Sequence, residues 1–450
     1  MANQLHDAFL TSARPHILMI TNHGIHQWQV LPGLPDTGGQ NVFVNLFTAA
    51  LACEGFKITI VNRGGYRHPL TGEARCGLRY QDAHQRILYL DDGLDAFVRK
   101  EEMAARLPAL AASLQAFLAA EGTDVALILS HYWDGAALGV RYNQTLRQPV
   151  PHIWIPHSLG TVKRRNVAPA RWPELHLAER IALERELVAQ VAGVAATSAT
   201  IRQALHVDYG YDGLEFFLPP CVDTARYYPR EVAENGPVWD FLSSRAGLTP
   251  DGVRQANIIT EISRTDTTKR KSVLIKAFAR VQQQHPQTLL LVAIDERQQP
   301  LASELQALIR NLGVEKYVVA VGSVGEWLPT LYAVTDVYCT PSVMEGFGMS
   351  AQEAAATGVP VVASELVPFA TEYLLGARVQ RVDGLRWGAG GVVVPADDVA
   401  GFARALERLL DDAPLRQRMG QRAYDITVPY FTWEARVPHF LNLLPDVSLQ

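Results

Sequence analysis

The 450-residue chain lacks several features that mark common protein classes. Its four cysteines are scattered, without the spacing of a metal site or a disulfide framework: Cys53, Cys76, Cys221 and Cys339. Reduced thiols in a cytoplasmic protein fit this pattern best. No run reaches about 18 uninterrupted apolar residues, so we expect no membrane-spanning helix. The polar residues 1–15 lack the apolar core of a signal peptide.

The chain also lacks an excess of positive charge. Its formal net charge is −5, so no nucleic-acid-binding surface is expected, and any cations in a site must be concentrated locally. Apolar residues make up 48% and charged residues 19%, as in a soluble folded protein. The length exceeds that of one ordinary hydrophobic core, so we expect two domains.

Short apolar runs alternate with helical patterns twice along the chain. In the first half the predicted strands run from 16–21 to 191–198, with a long helix over 101–120. In the second half they run from 257–261 to a closing strand over 390–394. This alternation predicts α/β domains with parallel, helix-covered sheets. Ligands bind such sheets at the carboxyl ends of the strands.

One stretch combines these elements around two acids. A predicted strand at 337–339 precedes a Glu-Gly-Phe-Gly loop at 345–348, and an Ala-rich helix follows. The glycines allow close backbone approach, and the helix N-terminus favours a diphosphate. Glu345 and Glu353 could then bind sugar and ribose hydroxyls. The alternative is that Ser350 and Glu353 form a capping box and that Glu345 is only a solvated loop acid.

The two glutamates, eight residues apart around Gly-Phe-Gly, resemble the paired-glutamate motif of retaining GT-B glycosyltransferases. The relevant family contains sucrose synthase and sucrose-phosphate synthase. Further segments resemble motifs of the same family: Asp-Thr-Gly-Gly-Gln at 36–40, His-Ser-Leu-Gly at 157–160, Ser-Arg-x-Asp-x-x-Lys at 263–269 and Phe-Thr-Trp-Glu at 431–434. The similarity therefore spans nearly the whole chain.

The resemblance implies a GT-B fold, with two Rossmann-like doubly wound domains facing an interdomain cleft. We expect an acceptor-binding domain over 1–215, completed by a crossover helix in 430–450, and a nucleotide-sugar-binding domain over 216–429. The Pro- and Tyr-rich stretch up to Pro229 is expected to link them.

The resemblance also implies roles for individual residues. The expected catalytic residues are His157, Arg264, Lys269 and Glu345. The expected donor-binding residues are Gly38, Gly39, Ser263, Ser323, Gly346, Phe347, Gly348, Met349 and Glu353. The expected acceptor-binding residues are Gln40, Tyr132, Asp134, Lys163 and Arg180. Because fixed cations can stabilise a departing diphosphate, no metal or other cofactor is expected to be obligatory, although Mg²⁺ can assist.

The chain departs from the family pattern at three places. Cys221 replaces a usual glycine, which affects only the expected local backbone conformation. The other two departures leave the substrates open, and the first of them is 364–369, which replaces a Gly-Gly-Pro loop at the donor sugar. Asp95 or Ala96 stands where sucrose-phosphate synthase has a lysine for the acceptor phosphate.

The expected partners are a nucleotide-sugar and a small anionic acceptor, with UDP-glucose and fructose 6-phosphate as the first choice. One alternative is transfer from GDP-mannose or another nucleotide-sugar to make a compatible-solute glycoside, such as a mannosylglucosylglycerate or mannosylfructose phosphate. Another is a non-catalytic nucleotide-sugar sensor. A phosphorylase would need a lysine for a pyridoxal cofactor, and nothing marks one. The base, the sugar, the acceptor and the oligomeric state stay open.

Overall fold

The computed structural model describes residues 2–31, 34–322 and 324–444. The chain forms two compact units. Unit 1 comprises Met1–Pro219 and Trp433–Gln450, and unit 2 comprises Pro220–Thr432. The units divide a few residues after the predicted boundary at 215.

Unit 1 is an α/β unit around one mainly parallel sheet. Its described strands are β1 His16–Ile20, β2 Lys57–Arg63, β3 Gly77–Tyr80, β4 Gln85–Leu90, β5 Leu127–His131, β6 His152–Ile155, β7 Gly193–Ala196 and β8 Glu215–Phe217. The helices that precede residue 220 are α1 Ala2–Thr11, α2 Gly39–Cys53, α3 Leu107–Glu121, α4 Tyr132–Asn143, α5 Gly160–Asn166, α6 Leu177–Leu187 and α7 Ala199–Tyr209.

The strand order in unit 1 is β3-β4-β2-β1-β5-β6-β7-β8. The chain winds outwards in both directions from β1, which pairs in parallel with β2 on one side and β5 on the other. The loop after β1 and the start of α4, which follows β5 directly, therefore meet at a topological switch point, where doubly wound sheets bind ligands. The segments 21–38 and Tyr132–Asp134 follow these two strands.

Unit 2 repeats this architecture. Its described strands are β9 Asn257–Glu261, β10 Thr288–Ala293, β11 Val318–Val321, β12 Val337–Thr340, β13 Val361–Ser364, β14 Gln380–Val382, β15 Leu385–Trp387 and β16 Gly391–Val394. Its described helices are α8 Pro237–Ala246, α9 Pro250–Gln255, α10 Lys271–Gln284, α11 Leu301–Asn311, α12 Leu328–Ala333, α13 Met349–Ala356, α14 Val399–Asp411 and α15 Ala413–Thr427.

The strand order in unit 2 is β11-β10-β9-β12-β13-β16-β15-β14. Its switch point lies between β9 and β12, which pair in parallel. The two loops there carry Ser263–Lys269 and Glu345–Gly348. Alternate side chains of the central strands pack on opposite faces. Cys339 belongs to the core beneath α10 and α14, and Tyr338 to the core beneath α13.

The last described helix, α16 Trp433–Asn442, returns to unit 1. Its Trp433 ring stacks on Phe47 of α2, with ring centroids 5.3 Å apart. Phe440, two turns later, contacts Phe47 and Phe216. The predicted α/β GT-B fold with a returning C-terminal helix is confirmed.

Several local predictions are wrong at the sheet edges. The strand at 193–196 is not the last of unit 1, since β8 pairs with it. The strand at 391–394 does not close the second sheet, because the antiparallel β15 and β14 lie beyond it. β3 is also antiparallel to its neighbour. Edge strands are short and partly exposed, so the apolar pattern that marks the central strands is weak there.

Two further predictions need correction. The helix expected over 101–120 begins as a 3-10 helix, Lys100–Arg106, and becomes α-helical only at Leu107, where Pro108 occupies the first turn. The expected linker up to Pro229 is not a free linker. Tyr227 is buried in the core of unit 2, and Val222 donates its backbone N–H to the carbonyl of Phe431.

In the described part of the chain, one helical stretch is long and apolar enough to cross a membrane by length and composition, namely Lys100–Glu121. The stretch consists of the 3-10 helix and α3. A stripe of leucines along α3 is buried in the core of unit 1: Leu107, Leu110, Leu114 and Leu118. Such a buried stripe is typical of a helix that packs on a sheet.

Candidate functional site

Unit 1 contains a cavity of about 370 Å³ beside the switch point. Three of the five predicted acceptor-binding residues line it, namely Tyr132, Lys163 and Arg180. The other lining residues are Lys100, Glu101, Glu102, Ala104, Ala105, Trp133, Leu175, His176, Glu179 and Leu183. The cavity thus combines three cations and three glutamates with an apolar wall, and it is large enough for a small ligand.

Arg180 is held in place by three hydrogen bonds, one from each of its guanidinium nitrogens. Its guanidinium donates to Glu184 at 2.7 Å, to the hydroxyl of Tyr132 at 2.5 Å and to the carbonyl of Ser158 at 2.7 Å. Two of its five N–H groups remain for a ligand. The guanidinium also lies over the Tyr132 ring, 4.4 Å from its centroid. Burial raises the pKa of Tyr132, which is therefore a neutral phenol.

Of the three cations that line the cavity, Lys163 has the most distant charged partner among the described residues. Its nearest carboxylate oxygen, on Glu101, is 3.7 Å away, beyond hydrogen-bond distance. Burial, together with Arg180 and Lys100, lowers the pKa of Lys163 to about 8. An anion in the cavity would favour the charged form of this lysine.

Lys100 is a third cation of the cavity and was not predicted. Its ammonium is paired with Asp36, and its backbone N–H donates to the same carboxylate at 3.0 Å. Burial alone would raise the pKa of Asp36, but Lys100 lowers it below the ordinary value. The residues expected at this position are elsewhere. Asp95 is exposed, and the carbonyl of Ala96 accepts a hydrogen bond from Arg63.

The remaining acceptor-binding candidates do not line this cavity. Asp134 is fully buried, and its carboxylate accepts hydrogen bonds from the backbone N–H and the ring of His23, at 3.1 Å and 2.9 Å. Gln40 donates to the hydroxyl of Thr21 at 3.1 Å. Both side chains hold the loop after β1. Gly38 caps α2 and Gly39 begins it, as a phosphate-approach geometry requires.

His157 lies at the end of β6 with φ at +54°, a conformation that is uncommon outside glycine. Its Nε2 is 2.8 Å from Nδ1 of His131, and the two rings are stacked. Burial lowers the pKa of His157 to about 3. Burial also lowers the pKa of His131. Both rings are therefore neutral near physiological pH, so His157 is suited to be a hydrogen-bonding group and not a cation.

In unit 2 the predicted catalytic residues Lys269 and Glu345 are in direct contact. Lys269 Nζ donates to Glu345 Oε1 at 2.5 Å, and both side chains are largely buried. Arg264 lies on the same loop, but its side chain is 54% exposed and its nearest carboxylate, Asp266, is 3.6 Å away. One cation is thus held by the glutamate loop, while the other has no close partner among the described residues.

The Glu-Gly-Phe-Gly loop leads directly into α13. Gly348 caps this helix with φ at +110°, and Met349 is its first residue. Gly346 precedes Phe347, whose ring is not available to a ligand because it packs on Phe369 in the core of unit 2. Phe347 therefore anchors the loop. The capping-box alternative is wrong, since Gly348 is the cap and Ser350 lies inside the helix.

Glu353 lies one turn into α13, apart from the Lys269–Glu345 pair. Tyr332 donates to its carboxylate at 3.4 Å, and Tyr227 is also hydrogen-bonded to it. Burial raises the pKa of Glu353 to about 7. Two phenol neighbours and a buried carboxyl suit the binding of vicinal hydroxyls. Ser323, also predicted to bind the donor, lies outside the described residues.

Two family models match different parts of the chain. One, for glycosyl transferases group 1, matches residues 252–426, and another, for glycosyltransferase family 4, matches residues 37–226. Sucrose-phosphate synthase from Thermosynechococcus elongatus has a similar structure, with a TM-score of 0.78 at 23% identity, covering 96% of this chain and 98% of that one. The chain is a GT-B glycosyltransferase.

Curated relatives of this glycosyltransferase include two kinds of enzyme. Mannosylfructose-phosphate synthase of Agrobacterium fabrum is 28% identical over 78% of this chain and 76% of the relative. D-inositol 3-phosphate glycosyltransferase of Corynebacterium kroppenstedtii is 26% identical over 97% and 91%. Anabaena HepE, solved in complex with UDP-glucose, has a TM-score of 0.66 at 17% identity, covering 95% of this chain and all of that one.

Sequence reasoning missed several residues of the glycosyltransferase that contact the predicted site residues: Lys100, Glu101, His131, Tyr227, Glu261, Lys271 and Tyr332. Lys100 and Glu101 belong to a Lys-Glu-Glu run that is visible in the sequence, but the resemblance placed the acceptor-phosphate position a few residues earlier, at Asp95 or Ala96. The others are ordinary strand, linker and helix residues. Their contacts with the site arise only when distant segments pack together.

Proposed function

We propose that this glycosyltransferase moves a hexosyl group, with retention at the anomeric carbon, from a nucleotide-sugar to a phosphorylated sugar or polyol. One observation carries the acceptor part of this proposal. Lys100, Lys163 and Arg180 converge on a single cavity in unit 1, next to the Tyr132 hydroxyl. Cations with spare donors in a partly apolar cavity fit a small organic phosphate.

The sequence spoke against a phosphorylated acceptor, because Asp95 or Ala96 stands where a lysine was expected. Asp95 would repel a phosphate and Ala96 would not bind one, but neither residue lines the cavity. Lys100 lines it instead, which favours a phosphorylated acceptor over an uncharged one. The relatives named mannosylfructose-phosphate synthase and D-inositol 3-phosphate glycosyltransferase support this choice.

Unit 2 supports the donor part. When the bond between the anomeric carbon and the diphosphate breaks, the leaving group gains negative charge. Arg264 and Lys269 would stabilise that charge, together with the N-terminus of α13. Glu345, beside Lys269, would orient the hexose, and the ionised carboxyl of Glu353 would accept hydrogen bonds from the ribose. In unit 1, Gly38 and Gly39 at the start of α2 would let the backbone approach a phosphate group, and His157 would contact a sugar.

The proposed first substrate pair is UDP-glucose and fructose 6-phosphate, as in sucrose-phosphate synthase. The Asp-Thr-Gly-Gly-Gln and His-Ser-Leu-Gly loops favour this pair, and HepE was solved with UDP-glucose. GDP-mannose with fructose 6-phosphate is the second candidate, because mannosylfructose-phosphate synthase is among the relatives. The four cysteines are free thiols, which fits a proposed cytoplasmic location.

A ligand panel tests the proposal. UDP, GDP and ADP are first compared by thermal shift, since a ligand that binds only the native state raises the melting temperature. Matching nucleotide-sugars are then combined with fructose 6-phosphate, inositol phosphate and glycerate, and nucleotide release is measured. We expect one nucleotide to stabilise the protein and a phosphorylated acceptor to give turnover. Binding without turnover for any pair would favour a sensor, and equal turnover with unphosphorylated fructose would contradict the proposed acceptor class.

A further inference from the structure

A buried ion pair lies beneath the donor-binding loop of unit 2. Glu261, the last residue of β9, is fully buried, and Lys271, the first residue of α10, is 2% exposed. The Lys271 ammonium donates to Glu261 Oε2. The pair joins the end of the strand to the start of the helix, and therefore closes the loop 262–270 at its base. That loop carries Arg264 and Lys269.

The pair also holds Ser263 from two sides. The Ser263 hydroxyl donates to Glu261 Oε1. Lys271 Nζ donates to the carbonyl oxygen of Ser263 at 3.1 Å and to its hydroxyl oxygen at 3.2 Å. All three N–H groups of the lysine are thus directed to two residues. With its proton committed to Glu261, the Ser263 hydroxyl is not a free donor for a phosphate.

Arg264 lies between this contact and a second anchor. On the other side, the hydroxyl of Thr265 accepts the backbone N–H of Asp295 at 2.9 Å. The Arg264 side chain has no close partner of its own among the described residues. Its position therefore depends on how the backbone is held at Ser263 and at Thr265.

We propose that Glu261 and Lys271 are positioning residues, which act through Ser263 to hold the diphosphate-binding loop in the geometry that Arg264 and Lys269 need. This inference rests on the proposed function, because it assumes that the loop binds the donor diphosphate. Positioning has a large effect on such a site, since a misplacement of about 1 Å can lower a rate roughly 100-fold.

A purely structural role makes a different prediction. Replacing a buried ion pair by apolar residues of similar volume is often neutral for stability, whereas removal of one partner leaves an unpaired buried charge. The double substitution Glu261→Leu with Lys271→Met therefore separates the two roles. If the pair only stabilises the fold, the double variant should bind nucleotide like the wild type.

The test measures the dissociation constant of UDP, GDP or ADP, whichever stabilises the wild type, and the donor and acceptor KM values. We expect the double variant to melt near the wild-type temperature, with nucleotide affinity and donor KM each worsened roughly tenfold to 100-fold. The acceptor KM should not change. Ser263→Ala, which removes only the hydroxyl, should weaken nucleotide binding several-fold without lowering the melting temperature.

A matched control is the buried Arg86–Glu121 pair of unit 1. Arg86 donates one hydrogen bond to each carboxylate oxygen of Glu121, at 2.7 Å and 2.5 Å. Arg86→Met with Glu121→Leu should leave nucleotide affinity unchanged. Wild-type affinity in the Glu261/Lys271 double variant would overturn the inference, and if that variant does not fold, wild-type affinity in Ser263→Ala would overturn it. A wild-type protein that binds none of the three nucleotides would instead overturn the proposed function, and the inference with it.

Discussion

Lys269 and Glu345 form an ion pair in unit 2. A diphosphate carries more charge than one carboxylate, so the proposed donor would compete for the lysine and would use the remaining N–H groups of the ammonium. The contribution of Lys269 should therefore be largest in the transition state, when the leaving group is most negative.

Lys269→Ala should reduce turnover by about 2–4 kcal/mol of transition-state stabilisation, because a fixed cation next to the leaving group is lost. The measurement is kcat and kcat/KM with the best substrate pair. Lys276→Ala, an exposed residue of α10, is the matched control and should behave like the wild type. Near-normal turnover in the Lys269 variant would remove this residue from the mechanism.

Lys163 should make acceptor affinity depend on pH. Its pKa is lowered to about 8 by burial and by its cationic neighbours, so it carries its charge below that pH and loses it above. The KM for a phosphorylated acceptor should therefore rise from about pH 7 to about pH 9, a range in which phosphate monoesters are already dianions.

Lys163→Arg, which stays charged, should abolish that pH dependence, and Lys163→Met should raise acceptor KM below about pH 8, where the wild-type lysine is charged. The expected loss of roughly tenfold to 100-fold corresponds to a hydrogen bond between charged groups. Donor KM is the internal control for both variants. An equal loss for the donor would contradict the assignment of Lys163 to the acceptor cavity.

Glu353 should have the opposite pH dependence. Burial raises its pKa to about 7, and the ionised carboxyl accepts hydrogen bonds from the two ribose hydroxyls more strongly than the neutral acid does. Donor affinity should therefore increase as pH rises through about 7. The stability of the ligand-free protein has the opposite pH dependence from donor affinity. Because the folded-state pKa is raised, the stability from this group is complete below its ordinary pKa of 4.5 and is lost as pH rises through about 7.

The pH effect is best measured with an intact nucleotide-sugar, whose diphosphate has no terminal phosphate to titrate in this range. Isothermal titration of the wild type and of Glu353→Gln at several pH values shows whether the pH dependence of donor affinity comes from this carboxyl. The variant should bind weakly and show no titration near pH 7. A wild-type affinity that does not change with pH would be inconsistent with this carboxyl as the ribose ligand.

At the scale of the element, α13 depends on the glycine that precedes it. Gly348 has φ at +110°, and a Cβ atom there would lie 2.7 Å from Val367 Cγ1. The backbone strain alone, or the clash with Val367 alone, would displace the start of the helix. The N–H groups that a diphosphate would contact would move with it.

Gly348→Ala should therefore lower stability by about 1–3 kcal/mol and also weaken nucleotide binding. The matched control is Gly313→Ala, where φ is also positive but nothing lies within 4 Å of the added carbon. This control should lose only about 1–2 kcal/mol, from backbone strain, and keep its nucleotide affinity. Denaturant titration and nucleotide binding are measured for both. Unchanged nucleotide affinity in Gly348→Ala would separate the helix start from the donor site.

At the scale of the whole molecule, α16 packs into the core of unit 1, which is otherwise formed by the first half of the chain. Trp433 is 6% exposed and packs on Phe43 and Phe47, which lie nearly 400 positions earlier. Because Trp433 belongs to unit 1, its loss should affect that unit and leave the nucleotide-stabilised transition of unit 2 in place.

Trp433→Ala should destabilise unit 1 by about 3–5 kcal/mol, the usual effect of a large-to-small change in a core. Chemical denaturation with and without nucleotide distinguishes the transitions of the two units. Leu443→Ala is the control, since that side chain is 47% exposed and should have little effect. An identical loss in both variants would mean that the helix, and not the Trp433 contact, carries the stability.

The sequence predicted the parts of the protein that depend on local pattern. β9 matches its predicted bounds of 257–261, and central strands such as β10 are nearly continuous apolar runs. The loop before α13 is marked by its two glycines. The loops that carry Lys269, Glu345 and His157 follow predicted strands, so the strand pattern alone places them at a sheet edge. The GT-B family could likewise be recognised from short contiguous motifs.

Only the tertiary structure decided which side chains meet. Lys100 reaches Asp36 across more than sixty residues of chain, and Tyr227 reaches Glu353 across more than a hundred. Apolar pattern marks which residues are buried, but it carries no information about the polar partner of a buried charge. Those pairings, and the pKa shifts that follow from them, exist only once each sheet has brought the ends of its strands together.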